Sequence, residues 1–443
     1  MRAEAAAGNA GSPARHRGRP RPATALPRLL PPVPGTGPVS LGDHLAGYGP
    51  LPRWRADGAW RARLIAEVDR ARLAGRGGAG FPAAIKLAAL ARARGAVVVA
   101  NGTEGEPASA KDKVLMARSP HLVLDGVVAA AELTGAREAV VVAHPAVTEV
   151  VAQAAGERRR ARLDRIRIQV LPAAGTFVAG EASAVVRWIE QGVPVPAWRP
   201  VRLAERGLRG RPTLVSNVET LAHLALIVRY GADWFAGVGT AGEPGSMLVT
   251  LAGAVRRPGV YEIAIGTPVA QVLAAGGGPA APLGALLIGG YFGTWVDARQ
   301  AAGRPFSREG LAGLGAGVGA GLIAALPAGA CGLEQTARLA RYLAGQSAGQ
   351  CGPCVLGLDA IAGELAALAA GTGPDLGRLR RWIGQVGAGR GACKHPDGTV
   401  TMIASALELF RDEVAEHMAG WCTGTGGAAA LLPVPGAVPG GAA

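Results

Sequence analysis

Three short apolar runs, AVVVA at residues 96–100, EAVVVAH from Glu138 and IRIQVLP from Ile166, are separated by stretches whose apolar residues recur at helical spacing. β-Branched runs of this length without polar alternation predict strands buried on both faces. Residues 122–133 and 146–155 predict the intervening helices, and 60–73, 85–94, 181–191 and 218–230 predict others. Strand and helix alternating in this way predict a parallel, doubly wound α/β sheet over residues 45–240.

From Met247 the pattern changes. MLVTLAGAV, the turn Pro258-Gly259, VYEIAIG, a helix opened by Thr267 and Pro268, a glycine stop at 276–278 and the run ALLIGGYFGTWV predict a small β-grasp-like module within residues 241–330. Four helical segments follow, 334–344, 355–370, 376–387 and 399–418, and predict a C-terminal bundle over residues 331–420. Residues 1–44 and 421–443, rich in Pro, Ala and Gly without periodicity, read as disordered tails.

A chain of 443 residues is long enough for two to four domains. Lys and Arg number 46 against 32 Asp and Glu, a net charge of +14. The basic residues are not interleaved with aromatics, and several, Arg15, Arg17, Arg19 and Arg21, sit in the N-terminal stretch. That distribution argues against nucleic acid and for an acidic protein partner. Five cysteines, sparse and odd in number, are no disulfide scaffold and fit a reducing compartment. The longest uncharged run, 310–333, holds eight glycines and Pro327 and is read as loop and buried strand, with no membrane span. A cytoplasmic protein is expected.

The stretch with the clearest chemistry is GRGGAGFPAAIK, Gly75 to Lys86. Its glycines let backbone amides turn toward an anion, the helix that follows adds its positive end, and Arg76 and Lys86 add full charges. The loop after the first strand, NGTEGEP at 101–107, stands where open α/β sheets place ligands.

These two segments, with AGTFVAGEASA at 174–184, PTLVSNVETLA at 212–222 and a Cys-containing segment near Cys351, occur in one order. In that order the chain, over roughly residues 45–420, resembles the flavin-carrying, NADH-binding F subunit of respiratory complex I (NADH-quinone oxidoreductase) and of soluble dehydrogenase and hydrogenase relatives. The resemblance implies an α/β architecture with a Rossmann-like FMN-binding domain, a small SLBB-like β-grasp domain and a C-terminal helical bundle with an iron–sulfur site. It implies an FMN held by Gly75, Arg76, Gly77, Lys86, Asn101, Glu104, Gly180, Glu181, Asn217 and Thr220. Phe81 matches a ring that sandwiches adenine, Glu106 a carboxylate near the nicotinamide and its ribose, and Arg199 a site where Lys is usual.

Several positions depart from the family's pattern. Ala89 and Arg202 stand where the family has two aromatics, and Thr103, Ala182 and Phe177 replace an Asp, a Glu and a Tyr. Losing two stacking rings costs about 1–3 kcal/mol where nothing compensates. In QSAGQCGPC, Ala348 replaces the first of three cysteines that, with a distant fourth, hold a [4Fe–4S] cluster in the family. Cys351, Cys354 and Cys393 remain, leaving one iron to water, a partner's ligand, His395 or Cys331, or absent as in a [3Fe–4S] cluster. A Cys₃His zinc site from Cys351, Cys354, Cys393 and His395 is the structural alternative. Cys331 and Cys422 are otherwise free thiols, and His121 and His223 read as structural.

The leading expectation is an FMN and iron–sulfur protein that oxidises NADH and passes electrons to a partner such as a ferredoxin or a thioredoxin-like iron–sulfur protein. Two alternatives stay open. One is a flavin and cluster relay that exchanges electrons with a ferredoxin-like protein without NADH. The other is a non-catalytic assembly or ligand-binding protein built on the β-grasp module.

Overall fold

The computed structural model describes residues 25–31, 37–52, 59–197, 201–424 and 431–435. Strands β1 (Val97–Gly102), β2 (Glu138–Ala143), β3 (Arg167–Pro172) and β4 (Thr213–Asn217) form a parallel sheet in the order β3-β2-β1-β4. Side chains alternate between its faces. Val97 and Val99 pack with Val140, Val142, Val185 and Val186, beneath the Ala182–Gln191 helix. Val98 and Ala100 join the larger core on the other face, built from the Ala83–Leu90, Pro120–Thr134 and Val218–Tyr230 helices. The last two helices cross so closely that a Cβ at Gly126 would lie 1.9 Å from the Leu221 carbonyl oxygen.

The second sheet is mixed, with order β6-β5-β9-β7-β8 from β5 (Ser246–Gly253), β6 (Gly259–Ala264), β7 (Leu283–Ile288), β8 (Thr294–Asp297) and β9 (Leu322–Pro327). The run ALLIGGYFGTWV forms β7 and β8, because Gly289 and Gly290 take φ of 100° and 97° and turn the chain back. The apolar run at 310–333 is mostly loop and the buried strand β9, between the end of the Arg308–Ala312 helix and the start of the Gly332–Gly345 helix.

The C-terminal region packs the Gly332–Gly345, Asp359–Ala369, Leu376–Val386, His395–Leu409 and Arg411–Met418 helices around one core. The helix expected over 399–418 breaks at Phe410, whose ring seats against Trp295 and over Gly332. Pro353–Leu358, expected as ordinary helix, is a π-helical turn.

Several elements have no counterpart in the sequence pattern, among them β4 and the short Ala232–Phe235, Ala298–Ala302 and Arg308–Ala312 helices. Lys111–Arg118 is helical although its inward residues include Lys111 and Asp112, an inversion that hides the apolar face. Leu41–Tyr48 is helical across the expected end of the N-terminal tail. Both tails, read as disordered over 1–44 and 421–443, contain docked pieces among the described residues. Leu29 and Leu432 are buried, Arg28 donates to the carbonyls of Trp234 and Phe235, and the Tyr291 hydroxyl donates to the Pro433 carbonyl. Single apolar anchors in such stretches give no periodic signal. Among the described residues no single helix is long and apolar enough to cross a membrane.

One buried charge holds the helical layer together. The Asp125 carboxylate meets Arg158 at 2.8 Å, His44 at 2.6 Å and Arg229. Burial alone would raise its pKa, but the His44 hydrogen bond and the two guanidinium groups outweigh it and hold it well below the usual carboxylate range. Its stabilisation is complete above the unfolded carboxylate pKa of about 4 and is lost as pH falls toward the depressed native value. Replacing Asp125 by Asn leaves two buried arginines under-compensated. We expect urea unfolding at neutral pH to show a loss of about 3–5 kcal/mol, narrowing as both proteins are taken below about pH 4.

Candidate functional site

A cavity of about 750 Å³ opens at the carboxyl ends of β1 and β4 and is walled by all three regions of the chain. That volume lies in the usual range for nucleotide-sized ligands. The glycine loop forms one side. Its ends are tied by the Gly75 amide donating to the Phe81 carbonyl, 2.9 Å, and by a bridge between Ala74 and Pro82. Gly78 and Gly80 take φ of 98° and 60°, which bend the loop around the cavity.

Gly75, Arg76, Gly77, Phe81, Lys86, Asn101, Glu104, Glu106, Gly180, Glu181, Asn217 and Thr220 all line this one cavity, and Cys393 and His395 lie on its wall. Arg199 falls outside the described residues.

Their roles differ from a simple ring of ligand contacts. The Arg76 amide donates to Thr220 Oγ1 at 2.8 Å, while its guanidinium turns inward to the Ser246 carbonyl at 3.1 Å and lies 4.0 Å from Glu219. Arg76 Nε is buried without a hydrogen-bond partner. Lys86 has an exposed stem, but its ammonium reaches inward to the Val215 carbonyl at 3.3 Å and lies 5.8 Å from the Phe81 ring centre. Burial of that ammonium lowers its pKa, and one hydrogen bond leaves it donors for an anion. Phe81 itself is 46% exposed at the mouth, a large apolar ring left open to a stacking partner.

Asn101 at the end of β1 donates to the Gly180 carbonyl at 2.8 Å. Asn217 caps the Val218–Tyr230 helix and donates to Asp112 at 2.7 Å. Glu104 and Glu181 are helix caps. Glu104, at φ 46°, accepts from the amides of Asp112 and Lys113 and from Ser109 Oγ, and Glu181 accepts from the amides of Ser183 and Ala184.

Glu106 is different. Its carboxyl accepts from the Tyr291 amide at 3.0 Å and sits against Gly290, where any Cβ would come 2.2 Å from Oε1. Burial raises its pKa to about 8, which the Tyr291 hydrogen bond partly opposes and Glu104 reinforces. It is a half-buried carboxyl in a ligand cleft with a raised pKa.

Beneath the cavity is a buried charge network without a sequence signature. Lys111 Nζ contacts Asp112 at 2.7 Å and Glu219 at 2.9 Å, and Glu219 accepts from the Leu248 amide at 2.9 Å. Burial lowers the Lys111 pKa, but Asp112, Glu219 and Glu104 more than offset it and keep the ammonium charged. Phe292, also unforeseen, lines the cavity and packs edge-on against Phe177 and His395, at 4.9 and 5.5 Å between ring centres. The expected losses of aromatics at Ala89 and Arg202 are visible as exposed positions that do not line the cavity.

Cys351 and Cys354 bracket the entry to the π-helical turn, with the Cys354 amide donating to the Cys351 carbonyl at 3.1 Å. Such turns recur at functional sites. The Cys354 thiol is pushed up to about 12, mainly by burial, and burial likewise raises Cys393. Cys351 and Cys393 are among the charges that act on Cys354, so the three thiols face one region. His395 turns Nε2 to the Leu343 carbonyl at 2.8 Å, leaving a buried Nδ1 without a partner. Among the described residues these four do not close into a tight set of single-ion ligands. Wider spacing suits a cluster, which places its own sulfide between the thiolates. Cys331, considered as a further ligand, is engaged elsewhere, 3.3 Å from His417.

The amide-rich loop and the Lys86 ammonium fit a flavin nucleotide, and the soft thiol donors fit an iron–sulfur cluster with three protein thiolates. Fold and site thus define a flavin nucleotide-binding α/β protein with an SLBB module and an iron–sulfur region. Residues 68–226 match the model of the Nuo51 FMN-binding domain, 248–286 the SLBB domain and 334–417 the NADH-ubiquinone oxidoreductase-F iron-sulfur binding region. The chain is 30% identical over 399 residues to an NADH-quinone oxidoreductase F subunit of Rhizobium meliloti, the one numbered 2, covering 85% of this chain and 94% of that protein. It is 31% identical over 375 residues to the NADH-quinone oxidoreductase F subunit of Streptomyces coelicolor, covering 81% and 83%. The chain belongs to the family of NADH-quinone oxidoreductase F subunits. It is also similar to a chain of the NAD+-reducing [NiFe]-hydrogenase in the air-oxidized state, with a TM-score of 0.75 and 30% identity over 82% of this chain. It spans 64% of that longer chain.

Replacing Lys111 by Met would strand Asp112 and Glu219. A stability loss of about 3 kcal/mol or more is expected in chemical unfolding, with part of it recovered when Glu219→Gln is added.

Proposed function

We propose that the chain oxidises NADH at the cavity and passes the electrons through an iron–sulfur cluster to a partner redox protein. One observation carries this reading: the glycine loop, the half-buried carboxyl of Glu106 and the cluster-side residues Cys393 and His395 wall a single cavity. FMN bound there supplies the conversion of a two-electron hydride donor into single electrons. The loop amides and Lys86 bind its phosphate, and Asn101, Asn217 and Thr220 fix the loop and strand ends around it. Phe81 offers its open ring to adenine. Glu106 orients the nicotinamide end through hydrogen bonds to ribose hydroxyls or the carboxamide. Phe177 and Phe292 form the aromatic part of the wall between cavity and cluster. Cys351, Cys354 and Cys393 hold the cluster, with Ala348 leaving one corner without a protein thiolate.

The acceptor is an acidic redox protein such as a ferredoxin or a thioredoxin-like iron–sulfur protein, steered by the net charge of +14. We place the chain in the cytoplasm, joined through partners to the inner face of a membrane.

Anaerobic addition of NADH to protein loaded with flavin and iron should bleach the flavin absorbance. A fully loaded protein that keeps its colour with NADH and loses it to a reduced ferredoxin would instead establish the relay without NADH. The exposed positions of Ala89 and Arg202, which bring no ring to the cavity, favour that second reading.

The raised pKa of Glu106 gives a pH signature. Below about pH 8 the carboxyl is largely neutral, and above it the carboxylate accepts hydrogen bonds from substrate hydroxyls more strongly. The kcat/KM for NADH should therefore rise as pH passes through about 8, and Glu106→Gln should be lower and flat across that range.

A further inference from the structure

We propose that Cys331, His417 and Cys422 form a mononuclear site for a soft divalent cation of the zinc class, separate from both the cavity and the iron–sulfur thiols. The three ligand atoms lie within 4.8 Å of one another, and no other His, Cys, Asp or Glu trio among the described residues is so close. Cys331 Sγ is 3.3 Å from His417 Nε2. Metal bonds of about 2.3 Å to sulfur and 2.0–2.1 Å to nitrogen place such atoms about 3.5 Å apart in a tetrahedron, so the pair needs almost no movement.

The donors arrive from three places in the chain. Cys331 caps the Gly332–Gly345 helix, His417 lies in the last turn of the Arg411–Met418 helix, and Cys422 follows that helix. The segment after Cys422 folds back over the first thiol: a Cβ at Gly424 would come 2.8 Å from Cys331 Cβ. Thr423 Oγ1 donates to Glu416 at 2.7 Å and fixes that return. Glu413 Oε2 accepts from the Gly332 and Leu333 amides at 2.8 and 3.3 Å and so fixes the start of the helix that Cys331 caps. Cys331 and His417 are buried and Cys422 is exposed, which gives the ion a route in.

Both cysteines fall outside residues 334–417, the span matched by the iron-sulfur binding region. On binding, each thiol forms a metal–sulfur bond and releases its proton to solvent, and His417 binds as neutral imidazole. No electron is transferred. The ion clips the first and last helices of the bundle together and pins the chain that leaves it.

The test uses the full chain with flavin and cluster in place, washed with chelator, desalted, and analysed for zinc and iron by mass spectrometry. About one zinc per chain is expected in the wild type, and Cys354→Ser, which removes a cluster thiol, should lower iron and keep the zinc. Cys422→Ser, at an exposed position, and His417→Gln should each lower zinc at least about tenfold while leaving iron unchanged. Cobalt(II) in place of zinc should give a sulfur-to-metal charge-transfer band that Cys422→Ser weakens. The proposal is overturned if the wild type retains no zinc even after incubation with excess, if Cys422→Ser keeps it, or if Cys354→Ser loses it. A non-reducing peptide map that finds Cys331 and Cys422 joined as a disulfide overturns it too.

Discussion

The shape of the cavity depends on one buried ammonium. Lys111 lies 2.7 Å from Asp112 and 2.9 Å from Glu219, with all three side chains nearly inaccessible. Desolvating three charges is costly, and the cost is tolerable only because each has a partner in place. The consequence is geometric. Asp112 receives the Asn217 amide at the end of β4, and Glu219 receives the Leu248 amide of β5. The Lys111–Arg118 helix, the helix after β4 and the first strand of the second sheet are thereby held at fixed spacing. An apolar replacement could fill the same volume but would not set the angle between the two sheets.

A second contact completes that junction from the other side. Glu106 leaves the loop after β1 and meets the Tyr291 amide beside Gly290, in the tight turn between β7 and β8. Gly290 is required twice over, by its φ of 97° and by the carboxyl that occupies the space of a Cβ. The β-grasp module is therefore part of the site's wall. This gives physical content to a module whose sequence implies only packing or ligand contact.

Much of this is legible in the chain, and the remainder has identifiable reasons for being hidden. β1, β2 and β3 are readable because double-sided burial produces unbroken β-branched runs. The glycine loop is readable because tight turns toward an anion leave few alternatives to glycine. The Lys111–Arg118 helix is not, since a charged pair occupies positions where the pattern requires apolar residues. The caps at Glu104 and Glu181 read as ligand contacts in the sequence because spacing reveals that a carboxylate is near a loop, not which amides it accepts from. Docked anchors such as Leu29 and Leu432 lack neighbours of their own kind, so no period marks them. Cys331, His417 and Cys422 are separated by most of the bundle, and only its fold brings the first to the other two.

The arrangement of aromatics argues for how the cavity and the thiols communicate. Phe177 lies between them: its amide donates to Gln346 at 3.0 Å, near the cysteine segment, and its ring touches Tyr291, Phe292, Tyr342 and His395. Cys393 and His395 reach the cavity wall directly, so that layer need be only a side chain thick. A thin partition suits single-electron passage, because it keeps the two centres near. A Phe at position 177 is compatible with such a site, because its ring packs against four other aromatic rings.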